Sequence, residues 1–119
     1  MAVHEIDTTV ADTILSQMGG VRVLRMAIGA TFSTLMDART REVDGVEIRY
    51  NFDGCPSNVC EIRLDYESDT YRMAFKMRHH KIVSIVSRHD NVYFDSLMDI
   101  FERQTGLYPR PPKVSAVAR

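Results

Sequence analysis

The sequence predicts an α+β fold: a single antiparallel sheet of about five strands, arranged as a meander, with two helices packed on one face. The longest clean alternation of side chains, from Asp69 to Arg78, predicts a strand with one apolar and one cationic face. Similar segments beside it are joined by short links, which make neighbouring strands antiparallel. Helical spacing of apolar residues near both ends of the chain predicts the helices.

The first predicted element is a short amphipathic helix. Asp7 or Thr8 can cap its start, and Gly19-Gly20 stops it. Between these points the apolar residues that recur at helical spacing are Val10, Ala11, Ile14, Leu15 and Met18. Residues 1–7 carry no period, so we expect a frayed lead-in there.

The segment after Gly20 is interpreted as a strand. Val21 to Ile28 alternates imperfectly, Gly29-Ala30 bends the chain, and Thr31 to Met36 can continue the strand after a bulge. The polar run from Asp37 to Asp44 then predicts a loop. Asp44-Gly45 closes this loop as a strong turn pair.

Three further strands alternate between apolar and polar residues, and their apolar side is expected to face the helices. The inward positions are Val46, Ile48, Tyr50 and Phe52, then Cys60, Ile62, Leu64 and Tyr66, then Tyr71, Met73, Phe75 and Met77. The outward positions include Glu47, Arg49, Asn51, Glu61, Arg63, Asp65, Arg72, Ala74, Lys76 and Arg78. Turn-forming residues at 53–58 and 67–69 close the two hairpins.

The last predicted elements are a fifth strand and a second helix. Lys81 to Ser87 is rich in β-branched residues, although its inward face is ambiguous. Residues 88–91 break this run and supply a helix cap. The apolar stripe of the helix that follows contains Phe94, Leu97, Met98 and Phe101. Gly106 ends this helix, and Leu107-Tyr108 is expected to fold back onto the core.

Length and composition indicate one globular domain that spans residues 1–119. The chain is 45% hydrophobic and 26% charged, which is ordinary for a folded domain. Its longest uncharged run, Met26 to Met36, has 11 residues and is too short to cross a bilayer. Because the amino terminus also lacks the features of a signal peptide, we expect a cytoplasmic protein. Three prolines predict a loose tail over residues 109–119.

The chain resembles a group of small uncharacterised proteins encoded by bacteriophages and integrating mobile elements. The similar segments are Ile14 to Gly20, Met26 with Gly29-Ala30, Asp69 to Arg78, and Val92 to Leu97 leading to Phe101 and Thr105 to Tyr108. They extend over residues 10 to 108. The longer segment from 37 to 44, the cysteine-containing hairpin and the proline-rich tail depart from the group. The resemblance implies origin and fold, and it supplies no activity, catalytic residue or cofactor.

Two cysteines and two histidines offer a candidate metal site. Cys55 and Cys60 flank one predicted hairpin, and His79-His80 lies at the next turn but one. In a meander these turns share one end of the sheet, about 10 Å apart, and zinc accepts two thiolates and two imidazoles. The alternative is that Cys60 is a buried apolar residue and Cys55 is a free thiol. Since the spacing is unlike that of familiar zinc motifs, we expect no metal and no other cofactor.

No catalytic motif is evident in the sequence. A cysteine or serine nucleophile would need a histidine base and a group to orient it, and no such arrangement is visible. Glu47, Glu61 and Asp65 alternate with arginines on the outward face, where cross-strand ion pairs are their expected role. We therefore expect a protein that is not an enzyme.

The outward face of the sheet is the candidate contact surface. It carries the five cations Arg49, Arg63, Arg72, Lys76 and Arg78. Of the 15 basic residues 12 are arginine, which favours recognition of carboxylates and phosphates. A net charge of −1 and the lack of outward aromatic residues weigh against nucleic acid, which remains the alternative partner. A protein partner, such as a host or phage factor, is the favoured hypothesis, and self-association through a sheet edge is a further option.

Overall fold

The computed structural model describes residues 6–109, which form a five-stranded sheet with helices packed on one face. The strands are β1 (Thr31–Met36), β2 (Val43–Arg49), β3 (Val59–Asp65), β4 (Thr70–His79) and β5 (Ile82–Val92). They lie side by side in chain order, and each neighbouring pair is antiparallel. The predicted α+β fold with an antiparallel meander is confirmed.

Three helices contribute to the core: α1 (Thr9–Gln17), α2 (Val21–Ile28) and α3 (Leu97–Thr105), the last preceded by a 3-10 turn at Phe94–Ser96. At the start of α1 the carboxylate of Asp7 accepts a hydrogen bond from the amide of Thr9 at 2.9 Å. At the end of α3 the amide of Gly106 donates to the carbonyl of Glu102 at 2.8 Å. Gly106 has a φ of +74°, which glycine adopts without steric cost, so the predicted helix stop is confirmed.

The prediction of a strand at Val21–Ile28 is wrong, because this segment is α2. Leu24 and Ile28 are four residues apart, so on a helix they share one face, and both are buried in the core. Gly29 takes a left-handed φ of +62° and ends the helix, so that Thr31 begins a separate strand. The alternation at Val21 and Val23 imitated a strand, whereas the longer apolar spacing decides the helix.

The predicted turn at Asp44-Gly45 is also wrong, since both residues belong to β2. The link between β1 and β2 closes earlier, where the backbone of Asp37 bonds to the amide of Arg41 and to the carbonyl of Glu42, both at 2.9 Å. Gly45 is required inside the strand for close approach. A Cβ there would collide with the backbone carbonyl of Ile62 on β3. The turn-forming dipeptide thus serves strand packing instead.

One hydrophobic core lies between the sheet and the helices. Its fully buried side chains include Ile14 and Met18 from α1, Leu24 from α2, Phe101 from α3, and Ile48, Ile62, Met73 and Phe75 from the sheet. The predicted inward faces of β2, β3 and β4 are therefore confirmed over most of their length. Phe52 and Tyr66 are exceptions, because the strands end before them and both rings are exposed. Met77 is only half-buried.

The boundary between β5 and α3 differs from the prediction. β5 continues through residues 88–91 to Val92, so these residues do not form a cap. Register shifts along the β4–β5 ladder occur between Tyr71 and Met73 and between Phe75 and Lys76, and Asn91 has a φ of +54°. Phe94 lies in the 3-10 turn and is 62% exposed, whereas Leu97 and Phe101 are buried as predicted.

The β4–β5 hairpin extends beyond the rest of the sheet. β3 pairs with β4 only as far as Lys76, while the β4–β5 ladder continues to the pair of His79 with Ile82. Next to the first residue of β3, the side chain of Asn58 makes the hydrogen bonds to β4 that a neighbouring strand would make. Its amide nitrogen donates to the carbonyl of Arg78, and its oxygen accepts from the amide of Arg78, both at 2.7 Å. The hairpin is thus fixed at its base and leaves its far end exposed.

The predicted lead-in and tail lie largely outside the described residues, which exclude 1–5 and 110–119. Pro109, the first residue of the predicted tail, is fully buried, and Leu107 packs against the core while Tyr108 is exposed. Among residues 6–109 no helix is long and apolar enough to span a membrane.

Candidate functional site

The strand register places all five predicted contact residues on the sheet face opposite the helices, which we call the open face. Arg49 on β2 and Lys76 on β4 flank Val59 of β3 in one row across the sheet. Arg63 lies directly opposite Arg72 in another row. Since like charges opposite each other destabilise a sheet, nearby carboxylates must compensate.

Glu47 compensates two of these cations. Its carboxylate accepts hydrogen bonds from Arg49 at 2.5 Å and from Arg78 at 2.7 Å, so the side chain of Arg78 reaches across β3. Burial alone would raise the pKa of Glu47, but the hydrogen bonds from Arg78 and Arg49 outweigh it and lower that pKa. The hydrogen bond that Arg78 donates to Glu47 in turn raises the pKa of Arg78. Glu47 is therefore a buried anion that fixes two arginines.

Arg49 also joins β2 to the edge strand β1. Its guanidinium donates to the hydroxyl of Ser33 at 2.6 Å, to the hydroxyl of Thr31 at 3.1 Å and to the carbonyl of Phe32 at 3.2 Å. With Glu47, these bonds satisfy most of the five donors of the side chain. Arg49 is thus a structural residue of the sheet more than a free contact residue.

Two further ion pairs hold Arg63 and Lys76. Arg63 donates to the buried carboxylate of Asp44 at 2.6 Å, and Lys76 lies 2.9 Å from Glu61. The predicted ion-pairing role is therefore confirmed for Glu47 and Glu61. Asp65 forms no ion pair with any residue between 6 and 109; its carboxylate accepts from the amide of Glu67.

Arg72 and Arg88 are the exposed cations of the open face that form no ion pair with the described residues. Arg88 lies directly opposite Ala74, and Arg72 precedes Ala74 by two residues on the same face. Together they border a shallow depression of about 460 Å³. Its lining also includes Glu61, Arg63, Lys76 and Asp90. The small side chain of Ala74 leaves room at its floor, and we call this depression the Arg72–Arg88 dish.

The dish has the chemistry to hold a carboxylate. Arg63 and Lys76 are each ion-paired with an anion of the chain, which fixes their side chains and partly offsets their charge. Arg72 and Arg88 keep their planar forks free for a carboxylate from outside. Sequence reasoning missed Arg88 because it assigned residues 88–91 to a break in the strand that supplies a helix cap. The length of β4, ten residues, was the sequence feature that called for an equally long partner strand.

The second exposed surface is an apolar run on β5, Ile82 to Val86. Its four apolar side chains are exposed by 71% at Ile82, 47% at Val83, 50% at Ile85 and 43% at Val86. β5 pairs with β4 on one side, and no other described strand pairs with its outer side. The ambiguity of its inward face in the sequence now has a physical reason, because the projecting hairpin exposes both faces.

The four residues considered for zinc are not assembled as a metal site. Cys60 is fully buried in the core, where burial raises the pKa of its thiol. The thiol of Cys55 lies 3.5 Å from the carbonyl of Thr105, and the rings of His79 and His80 are exposed. Within residues 6–109 no group of three or more His, Cys, Asp or Glu side chains could hold a metal ion. Neither thiol is hydrogen-bonded to an imidazole of the described part of the chain.

A larger cleft of about 750 Å³ lies between the start of α1 and the β1–β2 link. Its lining includes Asp7, Arg41, Glu42 and Tyr66. The carboxylate of Asp7 is already engaged by Thr9, whose hydrogen bonds lower its pKa.

The segments that resemble phage and mobile-element proteins belong to α1, α2, β4 and the region from the end of β5 through α3. Their positions describe the fold and do not bear on origin, so the origin stays a prediction. Comparison with family models, with curated proteins and with solved structures found no match to this chain.

Proposed function

We propose that the protein is a non-enzymatic binding module that holds an acidic segment of another protein on its open face. The observation that carries this proposal is the Arg72–Arg88 dish, where two exposed arginines have no ion pair among the described residues while their neighbours are fixed by carboxylates. Arginine is enriched at protein interfaces because its planar fork binds carboxylates with defined geometry.

The fixed ion pairs around the dish favour a rigid site. Glu47, Glu61 and Asp44 hold four of the cations in place, so little side-chain entropy is lost there when a partner binds. Arg72 and Arg88 remain as the groups that pair with the partner. Charge complementarity of this kind sets specificity and association rate.

Nucleic acid is less well supported as the partner. Four of the six cations on the open face are ion-paired with three carboxylates of the chain, which reduces the number of phosphates they could contact. The open-face positions of β2, β3 and β4 carry no aromatic side chain on which a base could stack. The sequence resemblance supports a host or phage protein as the partner, and a cytoplasmic site of action is part of this proposal.

The test reverses the charge of the dish. Arg72→Glu with Arg88→Glu should abolish stoichiometric capture of the partner from host lysate, because two acidic groups would repel the carboxylates that the dish attracts. Arg22→Glu with Arg103→Glu is the matched control, since both arginines are exposed on helices and the net charge change is the same. If both double variants capture the same protein equally well, the proposal is wrong.

A direct measurement separates the two partner classes. A glutamate-rich peptide and a single-stranded oligonucleotide of equal charge are titrated against the purified protein at low and at physiological salt. We expect the peptide to bind about tenfold or more weakly to the Arg72→Glu, Arg88→Glu variant than to the control. Binding of the oligonucleotide alone, with a steep salt dependence, would favour the nucleic-acid alternative.

A further inference from the structure

The apolar run on β5 is an unprotected sheet edge. Natural edge strands are usually blunted by charges, prolines or close covering, because their free backbone groups pair with any available strand. The six residues from Ile82 to Ser87 carry no charge and no proline. Within the described part of the chain nothing covers their outer side. An exposed apolar edge of this kind indicates an interface.

The order of side chains in this run is symmetric about Ser84. Two β-branched residues precede the serine and two follow it: Ile82, Val83, Ser84, Ile85 and Val86. If the strand pairs with an antiparallel copy of itself about Ser84, Val83 lies opposite Ile85 of the other copy. Ile82 then lies opposite Val86. Apolar side chains thus meet apolar side chains in both rows, which is the self-complementarity that a two-fold interface requires.

The flanking charges select this register. With Ser84 at the centre, Lys81 lies opposite the neutral Ser87. A shift of two residues in one direction places Arg88 opposite Ile82, and a shift in the other direction places Lys81 opposite Ile85. Either shift would place a charged side chain against an apolar one. The charges of Lys81 and Arg88 therefore disfavour the two shifted registers.

The projecting hairpin makes the contact accessible. Beyond the pair of Val59 with Lys76 the β4–β5 ladder has no β3 neighbour. The projecting ends of two hairpins can therefore lie edge to edge without contact between the rest of the two copies. Ile82 to Ile85 pair regularly with β4, and the register shift opposite Phe75 and Lys76 comes directly after them. The shift leaves Val86 as an extra residue without a β4 partner, so the contact depends mainly on the two pairs of Val83 with Ile85 on either side of Ser84.

We propose that two copies of the protein pair through β5, antiparallel about Ser84, so that two five-stranded sheets become one ten-stranded sheet. The occupant of the edge is a second copy because the apolar run complements itself and the flanking Lys81 and Arg88 disfavour the shifted registers. This inference does not depend on the proposed function, since the residues that pair, Ile82 to Val86, do not line the dish. Arg88 of the dish lies on the same strand, so Arg72 on β4 is the residue used to separate the two proposals.

The first experiment measures mass by light scattering over a range of protein concentrations up to about 100 µM. We expect the wild type to reach twice the mass of the chain. Val83→Lys with Ile85→Lys should remain at the mass of one chain, because four lysines would face each other across the edge. Met26→Lys with Tyr108→Lys is the matched control, since both side chains are exposed apolar groups outside β5, and it should still dimerise.

The second experiment tests the register itself. In a Cys55→Ser background, Ser84→Cys should give a disulfide-linked dimer under mild oxidation, because the two Ser84 positions face each other at a Cβ separation of about 4.5–5.5 Å. Lys81→Cys should not, since its two copies would be about 20 Å apart. Cys60 is buried and does not interfere.

The outcomes decide between a second copy and another occupant. A wild type with the mass of one chain throughout the range, or no Ser84→Cys crosslink, overturns the proposal and leaves the edge to a strand from a different protein. Crosslinking of Lys81→Cys in preference to Ser84→Cys also overturns it. Arg72→Glu alone should leave the dimer intact, so a failure of the open-face proposal is distinguishable from a failure of this one.

Discussion

Phe75 is a side chain of the sheet that packs against the carboxyl-terminal helix. Its ring is fully buried, and its centroid lies 5.8 Å from that of His89 and 6.2 Å from that of Phe101. Phe101 in turn makes an edge contact with Tyr50 at 5.4 Å. These rings connect the residue that follows β2 with α3, β4 and β5 in one aromatic cluster.

Phe75→Ala should lower the free energy of unfolding by about 3–5 kcal/mol, because it removes a large buried ring and leaves a cavity between the two layers. Urea unfolding measures the change. Phe94→Ala is the matched control, since Phe94 is mostly exposed, and we expect a change of about 0.5 kcal/mol or less. Equal losses in the two variants would mean that Phe75 does not anchor the core.

The position of Phe75 in the core was predictable from the sequence, because alternation over several residues assigns each side chain of a strand to a face. The pairing of individual charges was less predictable. Arg78 reaches across β3 to Glu47 on β2, and such a contact depends on side-chain length and on the register of three strands together. Sequence alone therefore located the cationic face without distinguishing the fixed cations from the free ones.

Among the elements, the projecting part of the β4–β5 hairpin is held at its base by the side chain of Asn58. Asn58 comes directly before β3, and its side chain bonds to both the backbone amide and the backbone carbonyl of Arg78. The amide of Asn58 also donates to the carbonyl of Lys76 at 2.9 Å. The loop before β3 thus continues the sheet with side-chain bonds in place of backbone ones.

Asn58→Ala should cost about 1–3 kcal/mol through the loss of two hydrogen bonds and should loosen the hairpin. Hydrogen exchange should accelerate at the amide of Arg78, which loses its acceptor, while the amides of α1 stay protected. Asn51→Ala is the control, because Asn51 is exposed in the same link. Unchanged exchange at Arg78 in Asn58→Ala would contradict this role.

The elements that sequence reasoning misassigned are those whose boundaries depend on packing. α2 has eight residues with valines that suggest a strand, and only the burial of Leu24 and Ile28 together identifies its helical face. β5 continues through the polar residues 88–91 because β4 supplies a partner along its full length. The helical state of α2 and the length of β5 both depend on tertiary contacts, which a local sequence pattern does not contain.

For the molecule as a whole, the ion pairs of the open face link stability to pH. The pKa of Glu47 is lowered in the folded state relative to its ordinary value of about 4.3. A carboxylate with a lowered pKa stabilises the fold above that ordinary value, and its contribution is lost as the pH falls through the folded-state pKa. Protonation of Glu47 would leave Arg49 and Arg78 without their shared anion.

Glu47→Gln should therefore reduce the free energy of unfolding by about 1–3 kcal/mol at neutral pH, and the difference from wild type should vanish under acid. Urea midpoints measured from pH 7 down to about pH 3 give the comparison. Asp7 and Asp37 also have lowered pKa values, through hydrogen bonds from Thr9 and from Thr40, but both variants share them.

The control for this experiment is Glu67→Gln, which removes one carboxylate that is exposed and forms no ion pair with residues 6–109. A difference between wild type and Glu47→Gln that persists unchanged at acid pH would show that the carboxylate is not the source of the stabilisation.

The order of the strands has a consequence for the rate of folding. Each strand pairs with its neighbour in the chain, and only two residues separate β4 from β5. Short loops close at low entropic cost, and low contact order favours rapid folding. We expect the β4–β5 hairpin to form early, so that mutations in it slow refolding more than they accelerate unfolding. The docking of α1 onto β2 closes a longer loop and belongs to a later step.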